Sequence, residues 1–264
     1  MLQRILSFIQ NGRLSKARLL TPPPLQFNFD LAAYREFMCQ ETHLYTADYI
    51  KQRVQIHGAQ HFEAALQKGS VIVVFVHHGS WLLMNGALHH QCGGAPITSI
   101  ASRRNLEFCT PEEKAFWLGV HQRSAASCNA PVIFYTDQTP IGPVRWLKSP
   151  HNVLTVALDV REPAANKPEQ AFQFMGQTIY LQTGPARLAQ MTGAQMVPAA
   201  IEYNPETQRH TLSLYPALNP AEWTAPELTQ KALEVIGPHI AQSPQQQFYD
   251  LLGALQVPQA TSAP

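Results

Sequence analysis

Two adjacent histidines, His77 and His78, close the apolar run Val71-Ile-Val-Val-Phe-Val76, and Gly79, Ser80 and Trp81 follow them. Such a run, mostly β-branched, reads as a buried strand, and the glycine reads as the tight turn that ends it. An imidazole at a strand's carboxyl end lies where open α/β sheets collect their ligands. Histidine titrates near neutral pH, so it can take a proton and return it. His77 is therefore the candidate general base, with His78 beside it. A second apolar run, Val153 to Leu158, stops at Asp159, a carboxylate at another strand end. A base that takes a proton becomes imidazolium, and a carboxylate that holds the ring stabilises that charge and fixes the tautomer. Asp159 is the first candidate for that role; His78, Ser80 and Glu107 also offer polar groups.

Other chemistries find little support. The chain has 11 histidines, but no His-x-x-x-His or HExxH spacing accompanies the motif, so no metal is expected. There is no G-x-S-x-G elbow, no P-loop and no G-x-G-x-x-G. The four cysteines, Cys39, Cys92, Cys109 and Cys128, form no C-x-x-C pair and read as reduced thiols. A net charge of +1 gives no reason to expect nucleic acid as a partner. No apolar run approaches the roughly 20 residues that span a bilayer. Leu2, Ile5, Leu6 and Ile9 would share one face of a short helix near Arg4, Arg13, Lys16 and Arg18. That helix either packs on its own domain or makes a peripheral membrane contact.

The elements that must position these residues alternate between strand and helix. Thr21-Pro-Pro-Pro24 forces an extended connector. A helical pattern is read from 44 to 67, broken at Gly58, then a strand over 71–76 and a helix from Trp81 to His90. Strands follow at 96–101, 132–135 and 153–158, with helices at 110–123 and 140–147 between them. Phe172 to Tyr180 reads as a hairpin turning at Gly176. Gly184-Pro185 opens a helix to Met191, the strand Gln195–Tyr203 follows, and His210–Tyr215 returns antiparallel to it. Two helices, 226–240 and 245–255, end the pattern. The expectation is an α/β fold: a mixed, largely parallel central sheet flanked by helices on both faces. Its domains are residues 1–43 as amphipathic helix and connector, 44–256 as one α/β domain, and 257–264 as a tail.

The order of landmarks resembles the bacterial lipid A acyltransferases, within the lysophospholipid acyltransferase-like superfamily. His77-His-Gly-Ser-Trp81 is similar to that family's His-x-Gly-Asn-Trp block. Leu158-Asp159 resembles its strand-end aspartate, and Phe174-Met-Gly176 its aromatic-x-Gly turn. Gly184-Pro-Ala-Arg-Leu-Ala189, with Thr192-Gly-Ala and Val197-Pro198, resembles its Gly-Pro-Ala helix and following strand. The resemblance implies acyl transfer to a hydroxyl or amine of a lipid or small molecule. The donor would be an acyl carrier protein or coenzyme A thioester, with no bound cofactor. It implies the carrier protein as partner, and a cytoplasmic location, free or at the inner face of the cytoplasmic membrane. In the family a carboxylate stands five positions after the histidine; here position 82 is leucine. Another acid such as Asp159 then replaces it, or the acceptor is an amine, or catalysis is lost and a lipid- or carrier-binding relative remains. A thioesterase-like hydrolase is a further alternative. Attack on a thioester charges the carbonyl oxygen, and N–H groups around Gly79 and the next helix are candidate donors. Ser80, Trp81 and Gly184 complete the expected substrate contacts. Arg103, Arg104 and Arg161 are the candidate partners for a phosphate.

Overall fold

The computed structural model describes residues 46–101, 110–130, 134–135, 140–160 and 169–246. Among these residues, seven strands form one sheet in the order β1-β9-β8-β2-β5-β3-β4. They are β1 (Val54–His57), β2 (Val71–Phe75), β3 (Ile97–Ala101), β4 (Phe134–Tyr135), β5 (Val153–Ala157), β8 (Gln195–Asn204) and β9 (Arg209–Leu214). Every pairing is parallel except β8 with β9. The remaining two strands, β6 (Gln170–Phe174) and β7 (Gln177–Leu181), form a separate hairpin. The mixed, largely parallel sheet expected from the sequence is the one observed.

Burial along β2 explains its unbroken apolar run. Ile72 and Val74 join one buried cluster, while Val71, Val73 and Phe75 join another. Successive side chains point to opposite faces, so both faces of this central strand are covered and neither can be polar. The first face carries α6 (Gly184–Thr192) and α7 (Ala225–Gln242), through Ala186, Ala189, Leu228, Ala232, Leu233, Ile236 and Ile240. The second carries α1 (Ala47–Arg53), α2 (Ala59–Lys68) and α3 (Met84–Gln91), through Ile50, Phe62, Met84, Ala87 and Leu88. The other α-helices among the described residues are α4 (Pro111–Ser127) and α5 (Ile141–Leu147).

Three expectations change. The segment 44–67 is not one interrupted helix: α1 ends at Arg53, and Val54-Gln-Ile-His57 forms the edge strand β1 beside β9. Val54 and Ile56 alternate with Gln55 and His57, a period-2 pattern too short to outweigh the helical signal on either side. The helix expected from Trp81 begins with a 3₁₀ turn, Trp81–Leu83, and becomes α-helical only at Met84. The last helical pattern starts as the 3₁₀ turn Pro244–Gln246, and the rest of it lies outside the described residues. So do the connector, the amphipathic N-terminal pattern, Cys39 and Cys109. Cys92 and Cys128 are buried free thiols, and burial pushes each up to about 11. Among the described residues no helix is long and apolar enough to cross a membrane.

Candidate active site

The site follows from strand register. β2 and β5 are neighbours, with Phe75 opposite Ala157, so two residues further on His77 and Asp159 leave adjacent strand ends side by side. The Leu158 N–H donates to Phe75 O at 2.7 Å and keeps the strands together to the last residue. Asp159 then accepts twice from one residue. Its Oδ2 takes the His77 backbone N–H at 2.7 Å, and its Oδ1 lies 2.7 Å from His77 Nδ1. An ionised carboxylate can only accept, so the proton of the neutral ring sits on Nδ1 and Nε2 is the basic nitrogen. The Asp159 side chain is 6% exposed and that of His77 11%. Charge-assisted bonds shielded from water to this degree are short and strong. Trp81 meets the His77 ring edge-on at 4.7 Å between centroids, and Phe75 does so at 5.8 Å. These contacts fix the plane of the imidazole.

The backbone after His77 is fully used. The His78 N–H donates to Val76 O at 2.8 Å and the Gly79 N–H to Gln246 O at 3.0 Å. With the His77 N–H on Asp159, none of these three donors is left for a developing oxyanion. The Gly79 N–H, expected as one such donor, is paired within the protein here. Gly79 has another role: its φ of +58° is left-handed, and a Cβ there would lie 2.0 Å from Ile201 O. Only glycine lets the loop pass this close to β8.

His78 is also corrected. Its ring is fully buried, with Nδ1 2.9 Å from Ile201 O and Nε2 2.8 Å from Ser243 O. Burial pushes it below the usual imidazole value, against the opposing pull of those carbonyls. It braces the loop and is not placed to meet a substrate. Around it stand Ser243, Glu202 and His239, with His239 Nε2 3.7 Å from Glu202 Oε2. Burial lowers His239 as well.

Ser80 is buried and Trp81 is half-buried. Gly184 opens α6, where an added Cβ would meet no other atom of the protein within 4 Å. Leu82, at the position where the resembling family carries its acid, lies in the 3₁₀ turn after the loop. Arg103, Arg104, Glu107 and Arg161 lie outside the described residues. A surface cavity of about 420 Å³, lined by Lys51, Gln55, Gln91, Cys92 and Arg209 among others, includes none of the candidate site residues. Among the described residues no group of three or more His, Cys, Asp or Glu could hold a metal ion.

Sequence reasoning did not find the support beneath the site. Asn85 on α3, Ser99 on β3 and Thr155 on β5 close a ring of hydrogen bonds of 2.8, 2.6 and 2.9 Å. That ring ties the helix that follows the His77 loop to the strand that leads into Asp159. The prior signal was a hydroxyl in each of two strands and an amide on the helix that precedes them in sequence.

Residues 155–250 match the family model of the bacterial lipid A biosynthesis acyltransferases. Over that stretch the chain is similar to the lipid A biosynthesis acyltransferases. The matched stretch is less than half of the chain; it contains Asp159 and the Gly184 helix, and it begins after the His77 loop. Among solved structures, the 1-acyl-sn-glycerophosphate (LPA) acyltransferase PlsC from Thermotoga maritima is 14% identical, with a TM-score of 0.46 over 90% of this chain and 92% of that one. No curated protein is similar enough to the chain to be matched.

Proposed function

We propose that the protein is an acyltransferase that moves an acyl group from a carrier-protein or coenzyme A thioester to a hydroxyl or amine. The observation that carries this reading is the two-point contact of Asp159 with His77, at 2.7 Å to the backbone N–H and 2.7 Å to Nδ1. It supplies the orienting acid that Leu82 cannot. The match to lipid A biosynthesis acyltransferases over 155–250 supports the reaction class.

In the proposed step His77 Nε2 takes the proton of the acceptor as its oxygen or nitrogen attacks the thioester carbonyl. Asp159 stabilises the imidazolium and keeps its Nδ1–H in place. The tetrahedral intermediate collapses with loss of the thiolate, which recovers the proton from His77. The acyl group ends on the acceptor and the thiol is released. The oxyanion donors lie outside residues 77–79, whose N–H groups are committed. The partners are then an acyl carrier protein or coenzyme A as donor, and a lipid or small-molecule acceptor that carries the hydroxyl or amine.

The test is incubation of the full chain with acyl-carrier-protein and acyl-CoA thioesters across hydroxyl and amine acceptors, with His77→Ala alongside. Thioester loss that depends on acceptor and on His77, with an ester or amide as product, supports the proposal. Free acid as product indicates a hydrolase. Tight thioester binding with no turnover in any combination indicates a binding protein.

A further inference from the structure

We propose that the turn Ser243–Gln246 at the end of α7 is the positioning element of the His77–Asp159 pair, and that Gln246 and His78 are its positioning residues. This rests on the reading of His77 as the base. The loop from His77 to Gly79 has little internal structure of its own. A short bond from the His78 N–H to Val76 O closes it locally, and Gly79 sits in left-handed backbone. Its conformation is imposed from outside, by Asp159, by Ile201 of β8 and by a turn more than 160 residues away in sequence.

Three contacts impose it. Gln246 O accepts the Gly79 N–H at 3.0 Å. Ser243 O lies 2.8 Å from His78 Nε2, while Ile201 O lies 2.9 Å from Nδ1 on the other side of the ring. The buried imidazole thus packs between β8 and the turn, and its single N–H in the neutral ring donates to one of these two carbonyls. The turn is itself locked to β8 by the Gln246 side chain. Its Oε1 accepts the Tyr203 N–H at 2.7 Å, and its Nε2 donates to Tyr203 O at 2.8 Å. This amide pairs with the Tyr203 backbone as another strand would, and Gln246 is only 3% exposed. A continuous path of hydrogen bonds therefore runs from Tyr203 through Gln246 to Gly79, two residues from the base.

The path has consequences for chemistry. If the Gln246 amide is removed, Tyr203 loses partners for both of its backbone groups in a buried place, which costs more than the bonds alone. The turn then relaxes, and Gly79 and His78 lose their anchors together. A shift of about 1 Å in a reacting group costs on the order of 100-fold in rate. Ground-state binding of the substrate is expected to change far less.

The experiment compares Gln246→Met, which keeps length and loses the amide, with Gln246→Glu, which keeps an acceptor for the Tyr203 N–H. Two readouts are taken on the full chain. One is kcat and KM in acyl transfer. The other is the downfield proton NMR signal of His77 Nδ1–H, assigned by its loss in His77→Gln. The expected result for Gln246→Met is a fall in kcat of roughly 10- to 100-fold with KM within about twofold, and a shifted or broadened signal. Gln246→Glu falls between this variant and the wild type. A lowered melting temperature with an unchanged signal and unchanged kcat overturns the proposal, since that is what a purely structural turn would give. Should Gln246→Met not fold, Gln246→Glu decides by the same two readouts. If the wild type transfers no acyl group, the acyltransferase reading fails on its own, and the signal still shows whether the turn positions the ring.

Discussion

Asp159→Asn is the substitution with the most decisive structural consequence. Both carboxylate oxygens accept from donors on one residue, the His77 N–H and Nδ1–H, each at 2.7 Å. A carboxamide has one acceptor oxygen and one NH₂. If its oxygen stays on Nδ1–H, its NH₂ faces the backbone N–H, donor against donor. If it turns over, its NH₂ donates to Nδ1 and forces the proton onto Nε2, the nitrogen that must take a proton. Either orientation breaks the arrangement, and the backbone N–H cannot change tautomer to escape. The second is favoured because it satisfies both donors. The ring is then held in the wrong tautomer, as when the acid of a serine-protease triad becomes an amide, a change that costs about 10⁴-fold in kcat. That corresponds to about 5 kcal/mol of transition-state stabilisation, at 1.36 kcal/mol per decade. The assay is acceptor-dependent thioester loss at saturating substrate, with melting temperature as the control for folding. A folded Asp159→Asn protein that keeps kcat within about tenfold of wild type would refute the reasoning, because a wrong-tautomer base cannot work that well.

Three further predictions concern the scaffold. Gly79→Ala places a Cβ 2.0 Å from Ile201 O in left-handed backbone; a clear drop in melting temperature together with loss of transfer is expected, and an unchanged melting curve would contradict the tight passage against β8. Thr155→Val opens the Asn85–Ser99–Thr155 ring and leaves buried polar atoms short of partners. It should lower the unfolding free energy by about 1–3 kcal/mol in urea titration, and an unshifted midpoint would show the ring to be dispensable. Burial holds His121 down at about 4, and lowers His78, His90 and His239. A histidine whose folded value is depressed takes up its proton more readily once unfolded. Its stabilising contribution is therefore complete above the unfolded value of about 6.5 and is lost as pH falls toward the folded value. For His121 alone the loss approaches about 3 kcal/mol near pH 4. Denaturant midpoints measured from pH 7.5 down to 4.5 should fall through that window, and a flat or rising trend would contradict the buried neutral rings.

The His77–Asp159 pair was legible in the sequence because register does the placing. Two apolar runs each end in a titratable residue, and in adjacent parallel strands those ends meet. The run Val71–Val76, apolar on both faces, announced a central strand for the same reason. What escaped notice lacked a periodic signal or a local cause. The four residues of β1 alternate too briefly to be told from a helix end, and only their pairing with β9 makes them a strand. Gln246 lies in a glutamine-rich stretch where nothing local marks one amide as a strand partner of Tyr203, since that partnership is set by tertiary packing. His78 looks identical to His77 in the sequence. The left-handed turn at Gly79 and the closeness of Ile201 O accompany its burial as a brace, while its neighbour joins Asp159.

The most direct measurement is chemical rescue of His77→Ala. The account predicts that this variant folds, transfers acyl groups at a rate reduced by several decades, and regains part of that rate when imidazole is added to the assay, with product formation following the concentration of neutral imidazole. Full transfer activity in His77→Ala without added imidazole would mean that another group takes the proton and that the pair at the ends of β2 and β5 is not the catalytic centre.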